Sequence, residues 1–506
     1  MKRIFGVFWF NPTQETNKAN RGVKFIALSR FAFLLAVLLF YSCQQKNKEL
    51  LKPNVLFIAI DDLNDWTGFL GGHPQAHTPQ MDKLASSSIV FRNAYCSGPA
   101  CGPSRTSLLY GIQPYKSRSY GHHDVYNPKN MDVFTNLKSL PAVFREHGYY
   151  TAGCGKIDHY QVVNNDFEIY FKSPNDRVFP DPDNPETVIP KGGRPISDFQ
   201  IGPISAEDEL KMHDRQYAEW AAEKLKQKHD RPFFLAVGFE KPHLPWVAPQ
   251  EYFNKFDLDS IILPDVPEGD LDDTPEMGKI FAHNIFGFFH TDPDEHSRIT
   301  GQPDMWKQLV RAYLASSAHT DAMVGKVVNA LMESEYRDNT IIILWSDHGW
   351  HLGEKEHWRK MTLWEQGTRT PLIINLPANN KFEAVSTPVS LLDIYPTLTE
   401  LCGFEKDQPK DGHSLVPLIK NPECDWEHPA IMTHGPGNFA VCYKNWRYIQ
   451  YYDGGEELYN EANDPDDYNN LIGIDTYNSV AKELRQYTPK EYKKVLGPRF
   501  MKFYED

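Results

Sequence analysis

Four stretches of this chain are apolar at almost every position, and each stops abruptly at polar residues. Residues 54–60 run into Asp61-Asp62, and residues 340–346 run into Asp347-His348-Gly349. Residues 149–155 end at Lys156-Ile157-Asp158-His159, and residues 233–239 end at Glu240-Lys241-Pro242-His243. An unbroken apolar run, rather than an alternating one, fits a parallel strand buried on both faces. Helical spacing of apolar positions predicts helices over 78–87, 138–146, 214–228, 306–334 and 388–401. Strands alternating with helices predict one large α/β domain over 52–420.

Past residue 421 the texture changes. Residues 439–443, 446–452 and 456–460 read as short antiparallel strands, with a turn at Asp453-Gly454-Gly455. Residues 476–492 read as a helix. Together they predict a small C-terminal subdomain over 421–506. No internal repeat is visible. The stretches 163–210, rich in Pro and Asp, and 264–303 fit no element of this alternation. Long insertions of that kind usually carry selectivity on loops.

Open α/β sheets place ligand sites past the carboxyl ends of their strands. Asp61, Asp62, Asp347 and His348 all stand there. Such hard oxygen donors suit Ca²⁺ or Mg²⁺, with the imidazole a minority ligand. Taken singly, an Asp pair after a strand more often caps a helix or makes a turn. Cys101-Gly102-Pro103-Ser104-Arg105 has the marks of a helix start, since Pro103 fits a first turn. A helix N-terminus also favours an anion. The plainer reading of Cys101 is a buried cysteine in a loop.

Cys101-x-Pro-x-Arg105, continuing through Thr106-Ser107-Leu108-Leu109-Tyr110-Gly111, resembles the signature of the type I sulfatases. The resemblance implies an alkaline-phosphatase-like sulfatase fold, a large mixed sheet flanked by helices with a small antiparallel C-terminal subdomain. It implies that a formylglycine-generating maturation enzyme oxidises Cys101 to 3-oxoalanine (formylglycine), whose hydrate is the nucleophile on a sulfate ester. It implies a metal site of Asp61, Asp62, Cys101, Asp347 and His348 holding Ca²⁺, with Mg²⁺ the alternative. Arg105 would hold the diol or the metal-bound oxygens. Lys156, in an element similar to the family's Gly-Lys-x-x-His, and Lys360 would touch sulfate. His243, in a Lys-Pro-His-x-Pro element, would protonate the leaving sugar oxygen, and His159 would act as base. Histidine suits both tasks because its unperturbed pKa is about 6.5. His351, His357 and Trp358 could line a sugar pocket or simply pack.

Asp347-His348 stands where many family members have Asp-Asn. That version, with Asp61-Asp62-Leu63-Asn64 and Lys-Pro-His-Leu-Pro, resembles the iduronate-2-sulfatase branch. The substrate implied is a sulfated oligo- or polysaccharide, either a 2-O-sulfated uronic acid of a glycosaminoglycan or an algal glycan such as ulvan. The alternatives are a formylglycine-dependent phosphodiester or phosphonate hydrolase, and a non-catalytic, membrane-tethered binder of sulfated glycans. A binder needs no base, and a purely structural lipoprotein leaves the four strand-end clusters unexplained.

The N-terminal 42 residues read as a signal peptide. Lys18, Arg21, Lys24 and Arg30 precede an apolar stretch over 31–41 that is short for a membrane span. The Ser42-Cys43 end resembles a lipoprotein signal, with Phe40 and Tyr41 departing from the usual pattern. The reading is a lipid on Cys43, a tether over 43–51 and an enzyme in the cell envelope, periplasm-facing. An uncleaved anchor or ordinary secretion are the alternatives. The chain of 506 residues carries a net charge of −14, and because residues 1–42 are basic the rest stands at −19. So acidic a body argues against nucleic acid as a partner. Seven cysteines are too few for a disulfide scaffold. With Cys43 and Cys101 assigned, five remain, so at least one is expected unpaired.

Overall fold

The computed structural model describes residues 52–120, 132–159, 162–190, 198–285, 289–290, 294–377, 381–404 and 411–492. The signal segment, the tether and Cys43 lie outside them. The described chain from Pro53 onward forms a single unit.

Its centre is an eight-stranded sheet. The strands are β1 (Asn54–Asp61), β2 (Ile89–Phe91), β3 (Tyr150–Gly155), β4 (Ile169–Phe171), β5 (Phe233–Pro242), β6 (Thr340–Ser346), β7 (Leu372–Asn375) and β8 (Glu383–Val385). They lie side by side as β8-β2-β7-β6-β1-β5-β3-β4. Only β7 runs against its neighbours, so the sheet is mixed but mainly parallel. The four apolar runs are the adjacent parallel strands β6, β1, β5 and β3.

Both faces of this sheet are covered, which is why the runs do not alternate. Val55, Phe57 and Ala59 of β1 pack on one face with Phe234, Ile343 and Trp345. That face is closed by α2 (Cys101–Tyr110), α3 (Leu140–Glu146) and α6 (Ile394–Leu401). Leu56, Ile58 and Ile60 point the other way, against α1 (Pro79–Ala85), α4 (His213–Lys226) and α5 (Met305–Glu333). Asp321 of α5, with both carboxylate oxygens, accepts from the Gln80 amide and also from that of Met81, so it caps α1.

Register decides where the strand ends fall. Ile60 pairs with Ser346 on one side and with Phe239 on the other. Asp61-Asp62, Asp347-His348 and the 240–243 segment therefore leave the sheet along one edge. Gly155 pairs with Gly238, which brings Lys156 to the same edge. The two strands approach so closely that a Cβ on Gly238 would stand 2.2 Å from the Lys156 carbonyl carbon.

The C-terminal part holds a four-stranded antiparallel sheet of β9 (Ala430–Thr433), β10 (Phe439–Tyr443), β11 (Trp446–Gln450) and β12 (Glu456–Asn460). Two helical expectations need correction. The pattern over 388–401 opens as strand, because Val389–Ser390 pairs with Ala94–Tyr95. Ser390 and Asp393 then form a capping box and α6 begins at Ile394. The tail over 476–492 holds only one short helix, α7 (Asn478–Leu484), flanked by 3₁₀ turns. Thr488 precedes Pro489, which disfavours helical backbone there. No disulfide joins the six cysteines among the described residues.

The Gly238 contact yields a test. Gly238→Ala forces the β3 and β5 ends apart and displaces Lys156. Overpacking of this kind costs about 1–3 kcal/mol. Urea unfolding is expected to show that loss, together with reduced activity.

Candidate active site

Asp61 closes β1, and Asp62 turns the chain with a left-handed backbone, φ 63°. A non-glycine residue holds that conformation only when its surroundings enforce it. Here the Asp62 amide donates to Asp347 Oδ1 at 3.1 Å, and its carbonyl accepts from the Tyr313 hydroxyl at 2.8 Å. The Leu63 amide donates to Ser346 Oγ at 3.0 Å, and Asn64 Nδ2 donates to the Trp350 carbonyl at 3.1 Å. Tyr313 lies deep in the long helix α5, so one buried hydroxyl ties that helix to the end of β1.

Cys101 opens α2, all of whose residues are buried. Its Sγ lies 3.3 Å from His348 Nε2, 3.0 Å from Lys360 Nζ and 3.7 Å from Asp62 Oδ1. His348 Nδ1 faces the Gly349 carbonyl at 2.8 Å. That bond places the proton on Nδ1 and turns the Nε2 lone pair into the cluster. Ligand atoms of Asp62, Cys101, Asp347 and His348 all lie within 4.8 Å of one another, and so do those of Asp61, Asp62 and His243.

These residues fit a divalent cation. Asp62 Oδ2 is buried and has no hydrogen-bond partner. Burial pushes the Asp62 carboxyl up to about 7, against the pull of Lys360. An unsatisfied buried carboxylate oxygen facing other acids is what a metal ion would relieve. A donor set of carboxylates with one imidazole suits a hard ion.

Three cations balance the acids. Arg105 is fully buried and reaches Asp347 Oδ2 from Nε at 2.7 Å and Asp61 Oδ1 from a terminal nitrogen at 3.2 Å. Its other terminal nitrogen donates to the carbonyls of Lys156 and Ile157. Burial alone would depress this guanidinium's pKa, but Asp347 and Asp61 raise it further than burial lowers it. Lys156 pairs with Asp61. Lys360 donates to Asp62 Oδ1 at 2.6 Å and lies over the Trp350 ring at 5.2 Å. Burial works against its charge too, and Asp62 outweighs it. Burial and the Cys101 thiol push the Asp61 carboxyl up, yet Lys156, His243 and Arg105 hold it well below the usual range.

His243 stands at the open side, with its side chain 30 % exposed. Nε2 lies 3.9 Å from Asp62 Oδ2, and Nδ1 is engaged with the Leu244 carbonyl at 2.7 Å. Burial of the ring lowers its pKa well below the ordinary histidine value. The segment is pinned from behind. Buried Lys241 donates to the His243 and Pro245 carbonyls, each at 2.7 Å. Asp214 of α4 accepts from the Glu240 and Lys241 amides at 2.7 and 2.9 Å. His159 sits half-buried on the turn after Lys156, outside both ligand groups.

Lys360 reaches the thiol from a short hairpin, His351–Leu352 paired with Trp358–Arg359. Lys355, Glu356, Arg359 and Met361 all have left-handed backbones. The nearby rings are packing groups. His351 bonds Thr362 Oγ1 at 2.7 Å, and the two ring nitrogens of His357 lie 2.8 Å from the Ala282 carbonyl and 3.0 Å from the Lys360 carbonyl. Trp358 is 1 % exposed within an apolar cluster.

Every predicted strand-end cluster thus reaches one edge, and Lys360 joins it. Sequence reasoning missed Tyr313, Asp214 and the pinning role of Lys241. Tyr313 and Asp214 lie within helical patterns that mark them only as helix positions. Lys241 lies inside the Lys-Pro-His-Leu-Pro element, in which the histidine is the residue with recognisable acid–base chemistry.

The family model described as Sulfatase matches residues 53–404. The model described as N-sulphoglucosamine sulphohydrolase, C-terminal, matches residues 353–494. A sulfatase of Formosa agariphila is 35% identical, over 90% of this chain and 91% of that one. Iduronate 2-sulfatase of Mus musculus is 31% identical, over 72% of this chain and 71% of that one. The solved structure of a 2-O GAG sulfatase aligns with a TM-score of 0.67 at 21% identity, covering 86% of this chain and 90% of that one. That last likeness speaks to the fold. By the matched family model and the close sequence relatives, this chain belongs to the sulfatase family and hydrolyses sulfate esters.

Proposed function

We propose that this sulfatase removes sulfate from a sulfated carbohydrate, with Cys101 matured to formylglycine as its nucleophile. The observation that carries the reading is the placement of Cys101 Sγ among Lys360, His348 and Asp62 at the start of a buried helix. Asp61, Asp62, Asp347 and His348 would hold the metal together with residue 101. Ca²⁺ is the first choice and Mg²⁺ the alternative, because the donors are mostly hard oxygens. When bound, the cation supplies positive charge to the sulfate oxygens, and formylglycine supplies a hydroxyl nucleophile.

The chain's own residues do the rest. Arg105 acts through the carboxylates, fixing Asp61 and Asp347 at the spacing a shared ion needs. Lys156 and Lys360 offset negative charge that develops on the sulfate. His243 would act as the imidazolium, its Nδ1–H held by the Leu244 carbonyl and its Nε2 proton passing to the leaving sugar oxygen. His159 receives the proton whose loss releases sulfate. The sugar is a 2-O-sulfated uronic acid of a glycosaminoglycan, favoured by the iduronate 2-sulfatase relative, or an algal glycan such as ulvan. The same reading takes in a lipid on Cys43, a periplasm-facing position in the envelope, and a separate maturation enzyme for Cys101.

Peptide mass spectrometry across Cys101, on protein made beside a formylglycine-generating enzyme, should find thiol converted to aldehyde. A persistent thiol, in a host that converts a control sulfatase, would overturn the nucleophile assignment. Cys101→Ala is expected to fold normally and release no sulfate from any member of a sulfated-glycan panel. Lys360→Ala removes one preorganised donor, worth about 2.7–4 kcal/mol or roughly 10²–10³ in kcat. Exhaustive chelation should abolish turnover, with Ca²⁺ restoring it better than Zn²⁺; unchanged rates would refute the metal site.

A further inference from the structure

Lys355 is a lysine completely removed from water. Its ammonium pairs with Asp270 Oδ1 at 2.7 Å, and both side chains are 0 % exposed. Three rings surround it, those of Tyr459, Trp364 and Tyr468, at 5.5, 5.8 and 6.0 Å from centroid to nitrogen. The cage is itself fixed. Glu457 accepts from Trp364 Nε1 at 2.8 Å and from the hydroxyls of Tyr451 and Tyr459 at 2.6 and 2.5 Å. An ammonium held by one carboxylate and several aromatic faces is a directional anchor, unlike a surface ion pair.

What it anchors is the hairpin carrying Lys360. Lys355 has a left-handed backbone, φ 55°, and so does Arg359 beside Lys360. The hairpin has further ties on its other sides. Arg359 pairs with Glu295 at 3.0 Å and lies 4.3 Å over the Phe199 ring. The His357 ring sits between the Ala282 and Lys360 carbonyls, with one nitrogen 2.8 Å from the first and the other 3.0 Å from the second. Asp270, Ala282 and Glu295 belong to the stretch 264–303, and Phe199 to the stretch 163–210. These are the two insertions that fitted no element of the α/β alternation. Their described parts buttress the hairpin, while the C-terminal sheet supplies Tyr459.

We propose that Lys355 is a positioning residue for sulfate ester hydrolysis: caged by Asp270, Trp364, Tyr459 and Tyr468, it holds Lys360 against Cys101 and Asp62. The proposal rests on the catalytic role given to Lys360 above. It acts through placement of one ammonium, so its signature is a loss in kcat with KM kept. Misplacing a catalytic group by about 1 Å can cost roughly 10²-fold in rate.

The test is a double-mutant cycle in the full, matured chain with 4-methylumbelliferyl sulfate as probe. Lys355→Met keeps the apolar stem and removes the charge. It should lower kcat at least tenfold with KM within twofold of wild type. In the Lys360→Ala background the same substitution should cost less than twofold more. Asp270→Asn, which keeps the shape of the partner, should reproduce both results and serves where Lys355→Met fails to fold. Losses that multiply across the two backgrounds, a change in KM alone, or unaltered kcat would each overturn the proposal. Failure of both variants to fold would make the cage a stability element and overturn it equally. No sulfate release by wild type from this probe or from any member of the sulfated-glycan panel sinks the reading of the site itself, whereas wild-type turnover with multiplicative losses sinks only the role of Lys355.

Discussion

The fold depends on one buried guanidinium. Parallel pairing of β1 with β6 sets Asp61, Asp62 and Asp347 side by side at the sheet edge. Three carboxylates taken out of water at that distance would repel one another. Arg105 lies between two of them, bonded to Asp61 and Asp347 at once. Lys156 and Lys360 cover the outer oxygens. Removing one partner from such a buried pair typically costs about 3–5 kcal/mol, because the remaining charge is left uncompensated. The arrangement keeps the edge near neutrality while leaving Asp62 Oδ2 unsatisfied. That single gap is the space in the charge pattern into which a cation fits.

Much of this was legible in the sequence because local rules and tertiary rules agree along β1, β3, β5 and β6. Each is apolar on both faces, so the run length and the polar stop marked strand and strand end together. Cys101 as the first residue of a helix was legible from Pro103 two places on. The helix over 388–401 misled because Val389 and Ser390 satisfy helical spacing but pair instead with Ala94 and Tyr95, a contact distant in sequence. Tyr313 and Asp214 escaped for the same reason. Their roles are hydrogen bonds to backbone far away in the chain, and nothing in their own helices distinguishes them.

The insertions show where sequence reasoning about loops stops. Pro- and Asp-rich stretches without periodicity suggested substrate selectivity. Glu295, Asp270 and Phe199, within those stretches, hold the hairpin of Lys360. That hairpin has four left-handed non-glycine residues between 355 and 361. Backbone of this kind persists only where its surroundings over-determine it. Described parts of the long insertions supply part of that enclosure. His351 and His357 likewise spend both ring nitrogens on the protein, which leaves neither to bind a sugar.

The cluster opens to solvent on the side of His243, whose side chain is 30 % exposed. The chain beyond residue 42 is strongly acidic, so a sulfated polymer approaches against the overall field. Attraction begins only near the edge where Lys156, Lys360 and a bound cation are concentrated. Because Arg105, Lys156 and Lys360 are matched there by Asp61, Asp62 and Asp347, a net positive charge within a Debye length of about 8–10 Å would come from the bound cation. An enzyme built this way gives up long-range capture of polyanions.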